Sequence, residues 1–274
     1  CSLIKIDGQD QAVYWVNNST PTPAARSVNV YTFTIIKTGN NLFEVYGDLR
    51  NFSATDPYFS SVALLLQGNG LQGSSNITDS SSSNVGIVAW GNTHIDTIIR
   101  KFAPGSVQFD GTNSYLTVAS NSMLNLNAGA FTIEFWVYLN SHAVQTILLL
   151  NSTTPGYGGL KIGVDTDGYL NISAQSASQS YWDFESGVIN AGSLQTGWNF
   201  ISVTRDSIGN LKVFHDGNVI YSTIWAGSIY GGSTSYIGAL NNNTRFLNGY
   251  IDDFRITKGI CRNSTNFTPP NTPF

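Results

Sequence analysis

Residues 131–140 read FTIEFWVYLN, the strongest strand in the chain. Successive side chains of a strand point to opposite faces. Phe131, Ile133, Phe135, Val137 and Leu139 therefore make one face, and Thr132, Glu134, Trp136 and Tyr138 the other. The first face is fit for a core. The second carries large aromatics, and the reading leaves it two fates: burial by another sheet, or presentation to a ligand.

Outward from this strand, alternation and turn signals dominate and helical periodicity is almost absent. Further strands are read at VALLLQ (62–67), GIVAWGN (86–92), SVQFDG (106–111), YLTVAS (115–120) and QTILLLN (145–151). Others lie within 159–174, 197–224, 235–240 and 246–256, broken by glycine turns such as TDG (166–168), IGN (208–210) and HDG (215–217). Many strands with short turns predict an all-β, two-sheet antiparallel jelly-roll sandwich over 58–274. Upstream, AVYWV (12–16) and VNVYTFTIIK (28–37) read as strands, and TGNN (38–41) turns the chain back into LFEVYG (42–47). Residues 1–57 are expected to form a small β unit, the end of an upstream domain being one form of it, with Asp56-Pro57 at the boundary.

The totals exclude some functions. Charged residues make up 11% of the 274, against about 25% in ordinary domains. The net charge of -4, from 13 basic and 17 acidic residues, forms no block. Without a Lys/Arg stripe to displace counterions, nucleic acid is not an expected partner. No apolar run approaches the ~20 residues of a membrane helix. Cys1 is read as the start of a fragment, with an acylated lipoprotein terminus as the alternative. Cys1 and Cys261 alone do not fix a redox compartment.

Five segments appear in an order that resembles the LamG-like jelly roll of the concanavalin A-like lectin/glucanase superfamily, over about residues 59–258. They are SVALLLQGNG, SVQFDGTNSYLTVAS, FTIEFWVYLN, GWNFISVTRDSIGNLKVFHDGNVI and NGYIDDFRITKGI. The tail ITKGICRNSTNFTPP is similar to the closing segment of such modules in tailed-bacteriophage structural proteins. The resemblance implies a virion protein, with other virion proteins as partners, a homo-oligomer (a trimer above all) and host surface glycan as a possible ligand. The alternatives are a carbohydrate-binding module of a bacterial surface protein or lipoprotein, and a glycoside hydrolase.

In related jelly rolls a Ca²⁺ ion often staples the last strand to an early loop, and the resemblance places Asp252 on the ligating aspartate. Ca²⁺ needs several oxygen ligands; Asp110, Asp79 and the carbonyl of Gly68 are the implied companions. The other reading has Asp252 accepting backbone N–H groups with no ion. Asp253 is expected on the opposite face, solvated beside Arg255 or Lys258.

Glucan-cleaving relatives carry two acids on one strand face, spaced as nucleophile and acid. FTIEFWVYLN offers only Glu134. YWDFE (181–185) puts Asp183 and Glu185 on one face, but reads better as a solvated edge, so the chain is expected to be non-catalytic. His94, His142 and His215 lie near turns without a nucleophile elbow, and His215 is expected to be exposed. For sugar binding, a pyranose stacks on an aromatic ring and hydrogen-bonds Asn, Asp, Gln or backbone groups. The candidates are Tyr157, Tyr181, Trp182, Trp225, Tyr230 and Asn242, all in loops, where binding residues concentrate.

Overall fold

The structure, a computed structural model, describes residues 3–6, 9–15, 27–39, 42–53, 56–153, 155–241 and 243–274. The chain divides into two units, Cys1–Pro57 and Tyr58–Phe274. In the first, β1 (Leu3–Ile6), β2 (Gln9–Trp15), β3 (Ser27–Gly39) and β4 (Leu42–Ser53) form one sheet in the order β1-β2-β4-β3. The β3–β4 hairpin is the one TGNN predicts, and it runs on to Ser27 opposite Ser53. β2 joins β4 in parallel, a pairing that the sequence did not suggest.

The second unit holds two antiparallel sheets. Its strands are β5 (Val62–Leu66), β6 (Ile87–Trp90), β7 (His94–Asp96), β8 (Ser106–Asp110), β9 (Tyr115–Val118) and β10 (Phe131–Leu139). They continue as β11 (Gln145–Ser152), β12 (Gly158–Val164), β13 (Leu170–Ala174), β14 (Phe184–Glu185), β15 (Gly197–Arg205) and β16 (Asn210–His215). β17 (Asn218–Ile224), β18 (Ser235–Ile237) and β19 (Asn248–Lys258) complete them. One sheet runs β17-β16-β15-β10-β19-β8-β7, with β5 also on β19; the other runs β14-β13-β12-β11-β18-β9-β6. Phe131, Ile133, Phe135 and Val137 of β10 face Leu148, Leu150, Leu160 and Ile162 of the opposite sheet in a single buried cluster. This is the jelly-roll sandwich that the alternation predicts. Among the described residues no helix is long and apolar enough to cross a membrane.

The aromatic second face of β10 meets neither fate foreseen for it. It is covered by the loop at 97–104 and by the tail after β19. Phe102 packs edge-on to Trp136, with centroids 6.3 Å apart, and the Lys101 ammonium lies 3.6 Å from that ring. Phe267 of the tail caps Phe200 at 6.0 Å and Phe214 at 5.3 Å. Backbone groups stitch the tail down. Thr132 Oγ1 donates to the Ile260 carbonyl, Thr204 Oγ1 to that of Asn263, Lys212 Nζ to that of Ser264, and the Phe267 N–H to that of Gly217. Gly217 sits at φ +78°, and a Cβ there would lie 1.9 Å from the Phe267 carbonyl oxygen, so only glycine lets the tail dock.

The two adjacent acids explain how the sheet accepts this cover. Glu134 pairs with Arg255 and Trp136 with Asp252, so β19 carries one residue more than β10 between them. That β-bulge centres on Asp253, whose φ is +52°. Below it β19 pairs with β8 over Asn248–Ile251; above it, with β5 over Phe254–Thr257. The extra residue cancels the alternation. Both carboxylates turn to the outer face, where Asp252 Oδ2 accepts the N–H groups of Lys101 and Phe102, each at 2.9 Å. Asp253 accepts the Phe274 N–H at 2.9 Å. The expectation of a solvated Asp253 on the opposite face fails: it is fully buried, because the bulge turns it under the tail. His215 is likewise not exposed; its side chain is 13% accessible and its Nε2 lies 3.0 Å from Asn199 Oδ1.

Burial pushes the Asp252 carboxyl up to about 6, against the opposing pull of the Phe102 and Lys101 amides. Burial, aided by the charge of Asp252, pushes Asp253 up to about 7. Both folded values lie above the ordinary carboxylate value of 3.8. Between about pH 4 and pH 7 the folded chain therefore binds more protons than the unfolded one, and this pair's contribution to stability falls as pH rises. His215, held low by burial despite Asp216, works in the other direction, so the pair must be isolated by difference. Denaturant unfolding of wild type and of Asp252→Asn/Asp253→Asn from pH 4 to 8 should show the double variant gaining relative stability as pH rises; a constant difference would contradict the assignment. Phe267→Ala should cost about 2 kcal/mol in the same assay, since a half-buried cap is lost over two buried rings.

Candidate functional site

The acids expected to hold calcium are not gathered. Asp110 pairs with Asn248, four residues before Asp252, so the two sit about 13 Å apart along β19. Asp79 accepts the Leu65 N–H, and Leu65 pairs with Arg255, three residues beyond Asp252, or about 10 Å. Each acid is already served by amides. Asp79 accepts from the N–H groups of Leu65, Ser81 and Val85 and from Ser81 Oγ. Asp110 Oδ1 accepts from the N–H groups of Thr112, Asn113 and Ser114. Burial raises its pKa, but those hydrogen bonds, Asn113's first, outweigh it and hold the carboxyl at about 2. Gly68, at φ +61°, packs against the Gly105 carbonyl, which a Cβ would meet at 2.1 Å. Among the described residues no three of His, Cys, Asp and Glu come together as a metal site. These side chains do not fit a shared cation; they act as amide acceptors that close loops.

The acids considered for hydrolysis are also engaged. Glu134 takes both Arg255 Nε at 2.9 Å and Nη2 at 2.6 Å on one oxygen, in a buried pair. Asp183 accepts the N–H and Oγ of Ser176 and Nε2 of Gln179, and these contacts hold its pKa below the usual range. Glu185 faces Ser173 across β13–β14.

The aromatic candidates separate into two groups. Trp225 is a packing residue: it stacks on Phe184 at 5.2 Å and covers the Arg205 guanidinium, also at 5.2 Å. Arg205 is fully buried, donates to the carbonyls of Asn127, Gly129 and Gly227, and is lowered by burial to about 10. Tyr157 and Trp182, 25 positions apart in sequence, meet with centroids 5.1 Å apart. Their loops are fixed on both sides. The Thr153 N–H donates to the Tyr157 carbonyl, Gln175 Nε2 to Thr153 Oγ1, and the Gly156 N–H to Asn241 Oδ1. The Tyr230 N–H donates to the Gln175 carbonyl, which brings that loop alongside. Tyr181 is 61% exposed beside them. Asn242 lies outside the described residues; its neighbour Asn241 takes the anchoring role.

Two features of this site escaped the sequence reading. The first is Lys161 of β12. Leu160 and Ile162 point into the core, so Lys161 points out of the seven-stranded sheet, yet it is only 7% exposed. Its ammonium lies 5.3 Å from the Trp182 ring. It forms no hydrogen bond or ion pair among the described residues, and burial pushes its pKa down, helped by the nearby charge of Arg245 and opposed by Glu185. The second is a run of rings farther along the same face. Leu149, opposite Lys161, is flanked by Tyr236, which pairs with Thr117. Tyr236 stacks on Tyr115 at 6.0 Å, and Tyr115 on the half-exposed Trp90 at 5.9 Å and 8°.

This architecture is that of a lectin-type sandwich with one outer face largely covered by the 97–104 loop and the tail, and a second set of aromatic rings on the other. A laminin G-type profile described as the concanavalin A-like lectin/glucanases superfamily matches residues 110–262. The chain belongs to that superfamily. Its fold is also similar to the binding domain of a botulinum neurotoxin DC solved with rat synaptotagmin II: TM-score 0.57, 20% identity, 74% of this chain and 49% of that one. It is similar to botulinum neurotoxin type C, whose passage into cells depends on interaction with two ganglioside molecules: TM-score 0.54, 18% identity, the same coverage. The binding domain of Paraclostridial Mosquitocidal Protein 1 matches with TM-score 0.56 and 18% identity over 75% of this chain and 50% of that one. The chain thus spans about half the length of these structures, and at such identity the likeness is one of fold. No curated protein sequence matches the chain.

The loop that carries Trp182 is held by Asp183 through three donors, in a setting exposed to solvent. Asp183→Ala should therefore leave global unfolding within about 1 kcal/mol, while amide exchange across 176–182 speeds up at least roughly tenfold. Unchanged exchange there would show that the loop is held by something else.

Proposed function

We propose that the chain is a non-catalytic recognition module that binds cell-surface glycan on the outer face of its seven-stranded sheet, at Tyr157, Trp182 and Lys161. One observation carries the reading: two aromatic side chains from separate, hydrogen-bonded loops converge beside a largely buried lysine that has no hydrogen-bond or ion-pair partner among the described residues. A pyranose presents an apolar face to a ring and hydroxyls to polar groups, and this pair supplies both. The same outer face continues through the buried Leu149 to Tyr236, Tyr115 and Trp90, and the exposed Trp90 offers a further ring roughly 20 Å away across neighbouring strands. The structural relatives include one whose cell entry depends on two ganglioside molecules and one solved with synaptotagmin II, in keeping with a recognition role.

Non-catalysis is supported by the engagement of Glu134 and Asp183 with other groups. The virion setting is supported by the resemblance of ITKGICRNSTNFTPP to phage modules. In that setting the partners are other virion proteins and further copies of this chain, a trimer being the expected assembly, displayed on an extracellular particle.

A glycan array with the folded chain, followed by titration of its best hit, tests the reading. Tyr157→Ala/Trp182→Ala should lose about tenfold or more in affinity, with Tm shifted by no more than about 4 °C. Trp90→Ala should weaken longer oligosaccharides more than short ones. No binding to any glycan, or release of reducing ends that depends on Asp183 and Glu185, would overturn the proposal.

A further inference from the structure

We infer that the sugar recognised at Tyr157 and Trp182 is anionic: its acidic group is bound by the Lys161 ammonium, with Arg245 as the second cation, while its ring rests on Trp182. This rests on the glycan-binding reading above and narrows it to one chemical class.

A lysine on a sheet face ordinarily extends its stem and leaves its head in water. Lys161 does not. It lies between Leu149 on β11 and Ser173 on β13, neither of which carries a charge. Trp182 covers it from the loop side. The carboxylate nearest in the sheet, Glu185, lies beyond Ser173 on β14, two strands or roughly 10 Å away, and makes no ion pair with it. Arg245 is exposed, on the turn whose carbonyl accepts the Thr146 N–H. Its charge acts on Lys161 against the opposing charge of Glu185, and neither cation has an ion pair among the described residues.

Burying an ammonium without a partner is costly. The chain does otherwise with its other buried charges: Arg255 has Glu134, and Arg205 has three carbonyls. A buried cation left open at the mouth of an aromatic cluster is built for a ligand that brings the counter-charge. The half-buried Trp182 ring beside the ammonium offers an apolar sugar surface its exposed part, which favours a sugar acid over a bare inorganic anion as the fitting ligand. The acidic group can be a carboxylate, as in uronic or sialic acids, or a sulfate ester. Both place oxygens that accept hydrogen bonds from the ammonium and the guanidinium.

The test compares charged probes with neutral counterparts by calorimetry: trigalacturonic acid against its methyl ester, 3′-sialyllactose against lactose, and 6′-sulfolactose against lactose. At least one acid should bind about tenfold or more tightly than its neutral form, and its affinity should drop several-fold between 50 and 500 mM NaCl; the best acid tells carboxylate from sulfate. Lys161→Met, which keeps the stem and removes the charge, should abolish that preference with Tm unchanged or raised. Arg245→Gln, at an exposed position, should cost the acid a few-fold and the neutral sugar nothing. Neutral probes binding as tightly as acids, with Lys161→Met without effect, would overturn the anionic assignment and leave the glycan site standing. Absence of binding by all five probes, and by the array, would overturn both.

Discussion

One extra residue in the last strand decides how the sandwich closes. Opposite Phe135, β19 fits both Asp253 and Phe254 where a regular ladder would place one residue. The bulge does three things at once. It keeps Phe254 in the core, stacked on Phe135 at 5.3 Å. It lets β19 exchange β8 for β5 along the same edge. And it puts two carboxylates on the outer face, where each takes up backbone N–H groups that would otherwise be buried without an acceptor. Asp tolerates the left-handed backbone that Asp253 adopts. A β-branched or aromatic residue would not, so the sequence and the geometry agree at this point.

The consequence is a division of labour between the two outer faces. On the eight-stranded sheet, the tail runs from Thr132 past Thr204 and Lys212 to the Gly217 turn, and its end returns to Asp253. Phe200 and Phe214 are capped by its Phe267 and Trp136 by Phe102 of the 97–104 loop, while Tyr138 and Trp198, packed edge-on at 5.5 Å, stay half-buried on the same face. The seven-stranded sheet has no such strap. Its row from Val88 through Thr117, Tyr236, Leu149, Lys161 and Ser173 to Glu185 is framed by loops that bring Tyr157 and Trp182 over one end. A fold that covers one face by itself and leaves aromatics and a buried cation on the other is arranged for recognition on that other face.

Much of this was legible in the residues. The alternation of FTIEFWVYLN specified the core-facing set without error, and the glycine turns marked the hairpins. What failed did so for physical reasons. IDDF reads as plain alternation unless the bulge is known, and a bulge depends on both neighbouring strands. The cover over Trp136 comes from Phe102 and Lys101, 34 and 35 positions away, and carries no local signal. Lys161 in GGLKIGV reads as an ordinary solvated lysine, because its burial is imposed by Trp182 across a loop. Trp225 looked like Trp182 in sequence, a tryptophan at the end of a strand, but Arg205 and Phe184 claim it for packing.

The central claim is that Asp252 and Asp253 lie together under the loop and the tail, as acceptors for Lys101, Phe102 and Phe274. Hydrogen exchange followed residue by residue in solution measures this directly. The account predicts that these three amides exchange slowly, and that Asp252→Ala releases Lys101 and Phe102 while Asp253→Ala releases Phe274. Fast exchange at all three in the wild-type chain would contradict it.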